Sequence, residues 1–335
     1  MLMIGFRGLE IHPNDPISAA LADGLGGVIL FDRDQTTGGA RNIASPDQLA
    51  ALTASLRAAA TGPLLVAIDQ EGGRVSRLNP AMGFPATRTQ AAIGATDDPD
   101  VAQAAGRAMG DTMAAAGIDL DLAPVVDVNV NPTNPAIGAL GRSFSADPSI
   151  VAASAEAEIR GLHASGVRSA IKHFPGLGSA AANTDFAVVD VSKTWTQQEL
   201  EPYETLIGAG LPDAIMIGNI LNRAFDATLP GSLSAATVTD LLRGRLGWSG
   251  VVVTDDLGAV AITSRFTRAE AVALAIEAGN ELLLFANQAT YVPDLAARLI
   301  DTIAGLVASG RITEARIDAS VARLDRLAGP PTTTT

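Results

Sequence analysis

Residues 64–73 read LLVAIDQEGG, an apolar run that ends in Asp, Gln and Glu followed by two glycines. A continuous apolar run of this length is typical of a strand that is buried on both faces of a parallel sheet. Similar short apolar runs recur along the chain. They predict eight strands, at residues 2–6, 27–31, 64–68, 120–126, 169–174, 214–220, 251–254 and 281–285.

Signals for helix starts lie between these runs. Ser45, Asp98 and Asp147 each precede a proline, which is typical of an N-cap followed by the first helical residue. Residues 196–199 and 267–270 fit the S/T-x-x-E capping box. Strands that alternate with helices in this way predict an α/β fold with a parallel sheet.

Eight such strands predict a single-domain (β/α)8 TIM-like barrel over residues 1–328, with a disordered tail at residues 329–335. A doubly wound open sheet with an extra lobe is the alternative architecture. No glycine-rich dinucleotide fingerprint follows the first strand, and polar residues gather at the ends of several strands rather than at one crevice. Both observations favour the barrel.

The composition excludes several classes of function. The 335-residue chain has 36 acidic and 23 basic side chains, and its net charge of −13 argues against a nucleic-acid partner or an anionic membrane surface. It has no cysteine and three histidines, so thiol nucleophiles and cysteine zinc sites are excluded and no metal site is expected. No signal peptide and no run of about 18 apolar residues is recognisable, which predicts a cytoplasmic location. We expect a monomer that needs no cofactor and binds a small neutral substrate.

Polar and charged side chains follow the predicted strands. In a barrel these positions lie together at the carboxyl-terminal rim, where the functional groups of such folds are found. The candidates are Asp69, Glu71, Asp127, Arg142, Lys172, His173, Asn183, Asp185, Asn219, Asp255 and Asp256. This set suits a sugar, whose hydroxyl groups donate to carboxylates and accept from Lys and Arg. Structural roles stay open for Asp255 or Asp256 as a helix cap, and for Asn183 with Asp185 as an Asx turn.

Four segments stand out in order along the chain: DQEGGRVSR at 69–77, GRSF at 141–144, KHFPGLG at 172–178 and VVVTDDL at 251–257. Together they resemble glycoside hydrolase family 3, in its branch of bacterial β-N-acetylglucosaminidases of peptidoglycan recycling, over about residues 3–325. The resemblance implies a (β/α)8-like barrel and retaining exo-hydrolysis of a terminal β-linked N-acetylglucosamine from cell-wall fragments. A β-glucosidase or β-xylosidase stays open, as does a phosphorylase in place of a hydrolase.

The resemblance also implies roles for residues of the rim. Asp255 matches the catalytic nucleophile, which forms a covalent glycosyl-enzyme that water resolves with net retention. The residues that match those holding the sugar hydroxyls are Asp69, Arg77, Arg142, Lys172 and His173. Such contacts fix the sugar ring so that Asp255 meets the anomeric carbon in line.

The loop after the fifth strand departs from the family. The related enzymes carry an Asp-Ser-His unit there, in which the His is the general acid/base and the Asp orients it, but residues 183–185 read Asn-Thr-Asp. Leu177 also replaces a His, and Asn219 stands where the branch often has another His. The usual acid/base is therefore missing.

Three interpretations of this departure follow. In the first, Asp185 is the acid/base and Asn183 orients it, which restores the two-carboxylate scheme of most retaining glycosidases. In the second, the proton comes from another acid, for example Glu71 or Asp256. In the third, the protein is a weak or inactive sugar-binding homologue.

Overall fold

A computed structural model of the chain describes residues 1–329. Eight parallel strands form one sheet: β1 (Leu2–Gly5), β2 (Gly27–Leu30), β3 (Leu65–Ile68), β4 (Leu120–Asp121), β5 (Arg168–Phe174), β6 (Ala214–Ile217), β7 (Val251–Thr254) and β8 (Leu283–Phe285). Each strand from β1 to β6 pairs with the next, and β8 pairs with β1. A parallel bridge between Val253 and Leu282 closes the ring between β7 and β8. The predicted barrel is confirmed, whereas the expected tail falls, apart from Gly329, outside the described residues.

Helices surround the sheet. Over residues 1–329 the α-helices are α1 (Pro16–Ala22), α2 (Pro46–Ala59), α3 (Gln90–Gly94), α4 (Pro99–Ala115), α5 (Pro148–Ala164), α6 (Glu201–Gly208), α7 (Val260–Thr263), α8 (Arg268–Ala278), α9 (Leu295–Ala308) and α10 (Glu314–Ala328). A π-helix lies at Ala236–Arg245, and short 3₁₀ helices lie at Pro80–Met82, Gly138–Leu140, Gln197–Leu200 and Gly231–Leu233. The side chains of Ser45, Asp98 and Asp147 accept hydrogen bonds from backbone N–H groups in the first turns of α2, α4 and α5, as predicted. Thr267 and Glu270 form both bonds of the predicted capping box of α8.

The fourth strand is shorter than predicted. The apolar run covers residues 120–126, but β4 ends at Asp121. Pro124 follows and has no N–H group to donate, so the ladder stops before it. Pairing returns at a single bridge between Val125 and Lys172 of β5. The chain then delivers Asp127 to the carboxyl end of the barrel.

The barrel interior is packed with apolar side chains from alternate strand positions. Met3, Ile29 and Leu120 belong to this inner cluster, whereas Leu2 and Ile4 of the same β1 strand pack outward with the helices. This alternation follows from the two-residue period of a strand. Because apolar side chains fill the barrel interior, a polar site can form only at the ends of the strands.

The prediction of a capping box at residues 196–199 is wrong. The segment forms a 3₁₀ helix over Gln197–Leu200, and the Thr196 side chain makes no capping bond. Glu199 is instead fully buried, and its carboxylate accepts a hydrogen bond from the backbone N–H of Gly178 at 3.0 Å. Glu199 therefore holds the start of the loop that follows β5.

The buried Glu199 makes the stability of the fold depend on pH. Burial raises the pKa of Glu199 from 4.5 to about 7. Since the folded-state pKa is the higher one, the stabilising contribution of the protonated form is complete below 4.5 and is lost as the pH rises through about 7. We expect Glu199→Gln, which carries no charge to bury, to be more stable than wild type by about 2–3 kcal/mol at pH 8 and nearly equal at pH 4.5.

Urea unfolding of both proteins at the two pH values measures this effect. Glu201→Gln, at an exposed position of α6, is the matched control and should keep the wild-type pH dependence. An unchanged pH dependence in Glu199→Gln would show that Glu199 does not titrate as a buried acid.

Candidate active site

A cavity of about 330 Å³ opens at the carboxyl ends of the strands. It is lined by all eight site residues predicted from the sequence, namely Asp69, Arg77, Arg142, Lys172, His173, Asn183, Asp185 and Asp255. Glu71 and Asp256, the two alternative acids, line it as well. Residues that are far apart in sequence thus meet at one rim, because parallel strands end on the same side of the barrel.

A network of ion pairs forms the floor of the cavity. Lys172 Nζ lies 2.7 Å from Asp69 Oδ1 and 2.7 Å from Glu71 Oε1. Arg142 donates from Nε and Nη2 to the two oxygens of Glu71, at 2.6 and 2.7 Å. Burial by itself raises the pKa of Glu71, but the charges of Arg142 and Lys172 outweigh it and hold the pKa well below its usual value. Glu71 therefore stays ionised between two cations.

Asp69 is held in its ionised form by a similar balance. Arg77 Nη2 lies 3.4 Å from Asp69 Oδ2, on the other side of the carboxylate from Lys172. Burial favours the neutral acid, yet the charges of Lys172 and then Arg77 lower the pKa of Asp69. A carboxylate in this state offers acceptor oxygens to sugar hydroxyls, while the two cations offer donors.

His173 is oriented by a buried carboxylate. Its Nδ1 lies 2.7 Å from Asp127 Oδ2, and the other oxygen of Asp127 accepts from Leu177 N at 2.6 Å. Because Nδ1–H donates to the carboxylate, Nε2 is the ring atom left facing the cavity, 3.5 Å from Arg142 Nη2. Asp127 was a rim candidate but not one of the eight predicted site residues. The position of Asp127 directly after an apolar run was the sequence signal that could have identified it as a site residue.

The two acids after β7 have different partners. Asp255 Oδ1 accepts from the backbone N–H of Asp256 at 2.8 Å. Asp256 Oδ1 accepts from Gly258 N at 2.8 Å and Ala286 N at 3.0 Å, so Asp256 holds the turn. Burial, and then the charges of Asp255 and Asp185, raise the pKa of Asp256 to about 7. Neither acid takes the helix-cap role that the sequence left open, because the N-cap of α7 is Ala259.

The loop after β5 is tied to the segment that follows the two acids. Asn183 Oδ1 accepts from the backbone N–H of Asp185 at 2.9 Å, which forms the Asx turn considered above. The carbonyl groups of Thr184 and Asp185 accept from Ala261 N at 3.1 Å and Val260 N at 3.3 Å. These bonds join the loop to α7 and place Asp185 and Asp255 in the same cavity.

The pKa of Asp185 is raised at the mouth of the cavity. Asp185 is exposed there, and it lines the cavity together with Asp255. The protein nearby removes part of the water around the carboxyl group, and this effect, followed by the negative charge of Asp255, raises the pKa of Asp185. The protonated form of Asp185 therefore persists to higher pH than in a free aspartic acid.

Asn219 and Leu177, which the sequence resemblance places at positions of His, have structural roles here. Asn219 is buried, and its Nδ2 donates to the carbonyl oxygen of Asp256 at 2.7 Å. Leu177 is buried with Val125 and Ile137 at the start of the loop. Next to it, a Cβ atom on Gly178 would lie 1.7 Å from the carbonyl oxygen of Val128, so only glycine fits. Neither an amide nor an alkyl group at these positions supplies a titratable proton.

Residues 1–329 contain no group of three or more His, Asp or Glu side chains arranged to hold a metal ion. In the same residues, every helix is too short or too polar to cross a membrane.

Comparisons with known proteins agree with this fold. The chain matches the Glycosyl hydrolase family 3 N terminal domain over residues 2–327. It is 36% identical over 314 residues to a beta-hexosaminidase of Xylella fastidiosa (strain M23), covering 91% of this chain and 87% of the relative.

Two solved structures share the fold. One is a glycoside hydrolase family 3 beta-N-acetylglucosaminidase from Paenibacillus sp. str. FPU-7, with a TM-score of 0.87 and 36% identity, covering 100% of this chain and 63% of that one. The other is a beta-N-acetylhexosaminidase from Beutenbergia cavernae DSM 12333, with a TM-score of 0.87 and 35% identity, covering 98% of this chain and 96% of that one. With the family match over nearly its whole length, the chain belongs to glycosyl hydrolase family 3.

Proposed function

We propose that the protein is a retaining exo-β-N-acetylglucosaminidase that acts through a covalent intermediate on Asp255. The observation that carries this proposal is the pair of carboxyl groups, Asp255 and Asp185, in one cavity with a floor of ion pairs. The floor cations are paired with Asp69 and Glu71 rather than with Asp255. In the proposed mechanism Asp255 attacks the anomeric carbon while Asp185 gives its proton to the glycosidic oxygen. Asp185 then removes a proton from the water that releases the sugar with retention.

The partners of the three candidate acids favour Asp185 as the proton donor. Glu71 is ionised between Arg142 and Lys172, so it has no proton to give. Asp256 is bound by two backbone N–H groups in the turn after β7. Asp185 combines a raised pKa with a place in the cavity mouth, which suits a general acid. Asn183 orients it through the Asx turn.

The floor suits the non-reducing end of a substrate chain. Asp69, Arg77, Arg142, Lys172 and His173 supply both donors and acceptors for the hydroxyl groups of one sugar ring. Ion pairs close the floor, so the cavity receives a chain end rather than the middle of a chain. Relatives that are beta-hexosaminidases and beta-N-acetylglucosaminidases support N-acetylglucosamine as this sugar. We propose cell-wall fragments as its source; the monomeric state and the cytoplasmic location stay predictions.

Hydrolysis of aryl β-glycosides followed by proton NMR tests the proposal. We expect the N-acetylglucosaminide to be cleaved faster than the glucoside and the xyloside, and the β-anomer of the free sugar to appear first, because two displacements retain the configuration. A first product of α configuration would contradict the mechanism. Formation of a sugar 1-phosphate when phosphate is added would identify a phosphorylase. Binding of N-acetylglucosamine without turnover of any substrate would identify a sugar-binding homologue.

A further inference from the structure

The outer wall of the cavity differs chemically from its floor. Phe186 and Val260 line the wall, next to Asp185 and Asp255. The Phe186 side chain is 73% exposed and Val260 is 38% exposed. Among the seven large apolar side chains that are exposed in residues 1–329, Phe186 is the most exposed and the one aromatic. An exposed apolar surface beside a polar cavity is typical of a place where a ligand binds.

Packing within the fold does not account for the position of Phe186. An aromatic ring gains its largest stabilisation from burial, and this ring is left in water. The backbone around it is nevertheless held, because Phe186 N donates to Asn183 O at 3.1 Å and Val260 N donates to Asp185 O at 3.3 Å. The two apolar side chains therefore stand on segments that are bonded to each other, immediately after the proposed acid.

The geometry points to a second subsite, for the leaving group. We propose that Phe186 and Val260 bind the apolar face of a ring, either a pyranose or an aryl ring, in the leaving group of the substrate. The inference rests on the proposed function, because a general acid must contact the glycosidic oxygen and the leaving group begins at that atom. Because Phe186 directly follows Asp185 in the chain, we expect its side chain to lie beside the first ring of the leaving group. The C–H groups on one face of a pyranose contact an aromatic ring as other apolar groups do.

Binding and turnover of paired ligands test this subsite separately from catalysis. Di-N-acetylchitobiose has a ring on both sides of the glycosidic bond, N-acetylglucosamine has only the first ring, and methyl β-N-acetylglucosaminide has a leaving group without a ring. Calorimetry on full-length protein with Asp255→Ala gives the affinity ratio of the disaccharide to the monosaccharide without hydrolysis. Kinetics on the protein with an intact Asp255 give the ratio of kcat/KM for the disaccharide to that for the methyl glycoside.

We expect Phe186→Ala to lower both ratios roughly fivefold and Phe186→Trp to restore them. Val188→Ala is the matched control, because Val188 is 44% exposed on the same loop but does not line the cavity, and it should keep the wild-type ratios. Wild-type ratios in Phe186→Ala, or no binding of either sugar, would overturn the proposed subsite. If the protein binds both sugars but hydrolyses neither, the catalytic proposal fails, while the affinity ratio still decides whether the subsite exists.

Discussion

Replacing Asp255 by alanine is expected to lower kcat for β-N-acetylglucosaminides by on the order of 10⁴–10⁶-fold while leaving the affinity for N-acetylglucosamine nearly unchanged. The loss is large because the variant has no nucleophile held in line with the anomeric carbon. The affinity is retained because the groups proposed to hold the hydroxyls belong to the floor network of Asp69, Arg142 and Lys172, which is bonded without Asp255. A split between kcat and binding is therefore the signature of a nucleophile rather than of a residue that supports the fold.

Covalent trapping identifies the attacking atom directly. A fluorinated N-acetylglucosaminyl fluoride, which slows the second displacement, should add one sugar to the peptide that contains residues 251–257 of the wild-type protein. Asp255→Ala should give no adduct, and its thermal unfolding and calorimetric binding curves serve as controls for folding. Some hexosaminidases use the acetamido group of the substrate as the nucleophile. If turnover persists without an adduct in the wild-type protein, that route operates and the role of Asp255 is wrong.

Much of the site follows from the sequence because of a simple property of parallel barrels. An apolar run shows where a strand lies, and the residues after it are delivered to the carboxyl-terminal rim. Asp69, Lys172 and Asp255 each follow such a run. The sequence therefore predicted that they share one cavity before any interatomic distance was known. The early end of β4 could also have been predicted from the sequence, because Pro124 lies within the predicted strand.

Other features depend on tertiary contacts that no local pattern contains. Glu199 fits a capping box in sequence, but the loop after β5 packs over it and turns it into a buried acceptor for Gly178. The hydrogen bond between Asp127 and His173 joins residues that are 46 positions apart. The exposure of Phe186 likewise appears only in the fold, where its loop is bonded to α7 and its ring stays in solvent.

Replacing Asp185 by alanine should separate substrates according to their leaving groups. For di-N-acetylchitobiose we expect kcat/KM to fall by about 10²–10⁴-fold, because a sugar alkoxide leaves poorly without a proton. For a dinitrophenyl glycoside the first displacement needs little protonation, so its rate should fall far less. Azide should then raise turnover of the aryl substrate, because the anion displaces Asp255 from the glycosyl-enzyme without needing a general base. The product of that rescue is the β-glycosyl azide, with retained configuration.

The pH dependence gives an independent test of the same residue. The general acid works only when protonated, so kcat/KM for the disaccharide should fall as the pH rises through the pKa of Asp185. Loss of surrounding water and the charge of Asp255 raise that pKa, which moves this decline to higher pH than an ordinary aspartic acid would give. In Asp185→Asn this decline should disappear.

The neighbouring acid provides the matched comparison that decides the assignment. Asp256 lies in the same cavity with a pKa raised to about 7, so pKa alone does not distinguish it from Asp185. Its oxygen is bound by Gly258 and Ala286 in the turn, and Asp256→Asn should therefore lower stability or rate to a similar degree for all leaving groups. If dependence on the leaving group and azide rescue instead follow Asp256→Asn, the proton comes from Asp256. The loop after β5 would then act only as a wall of the cavity.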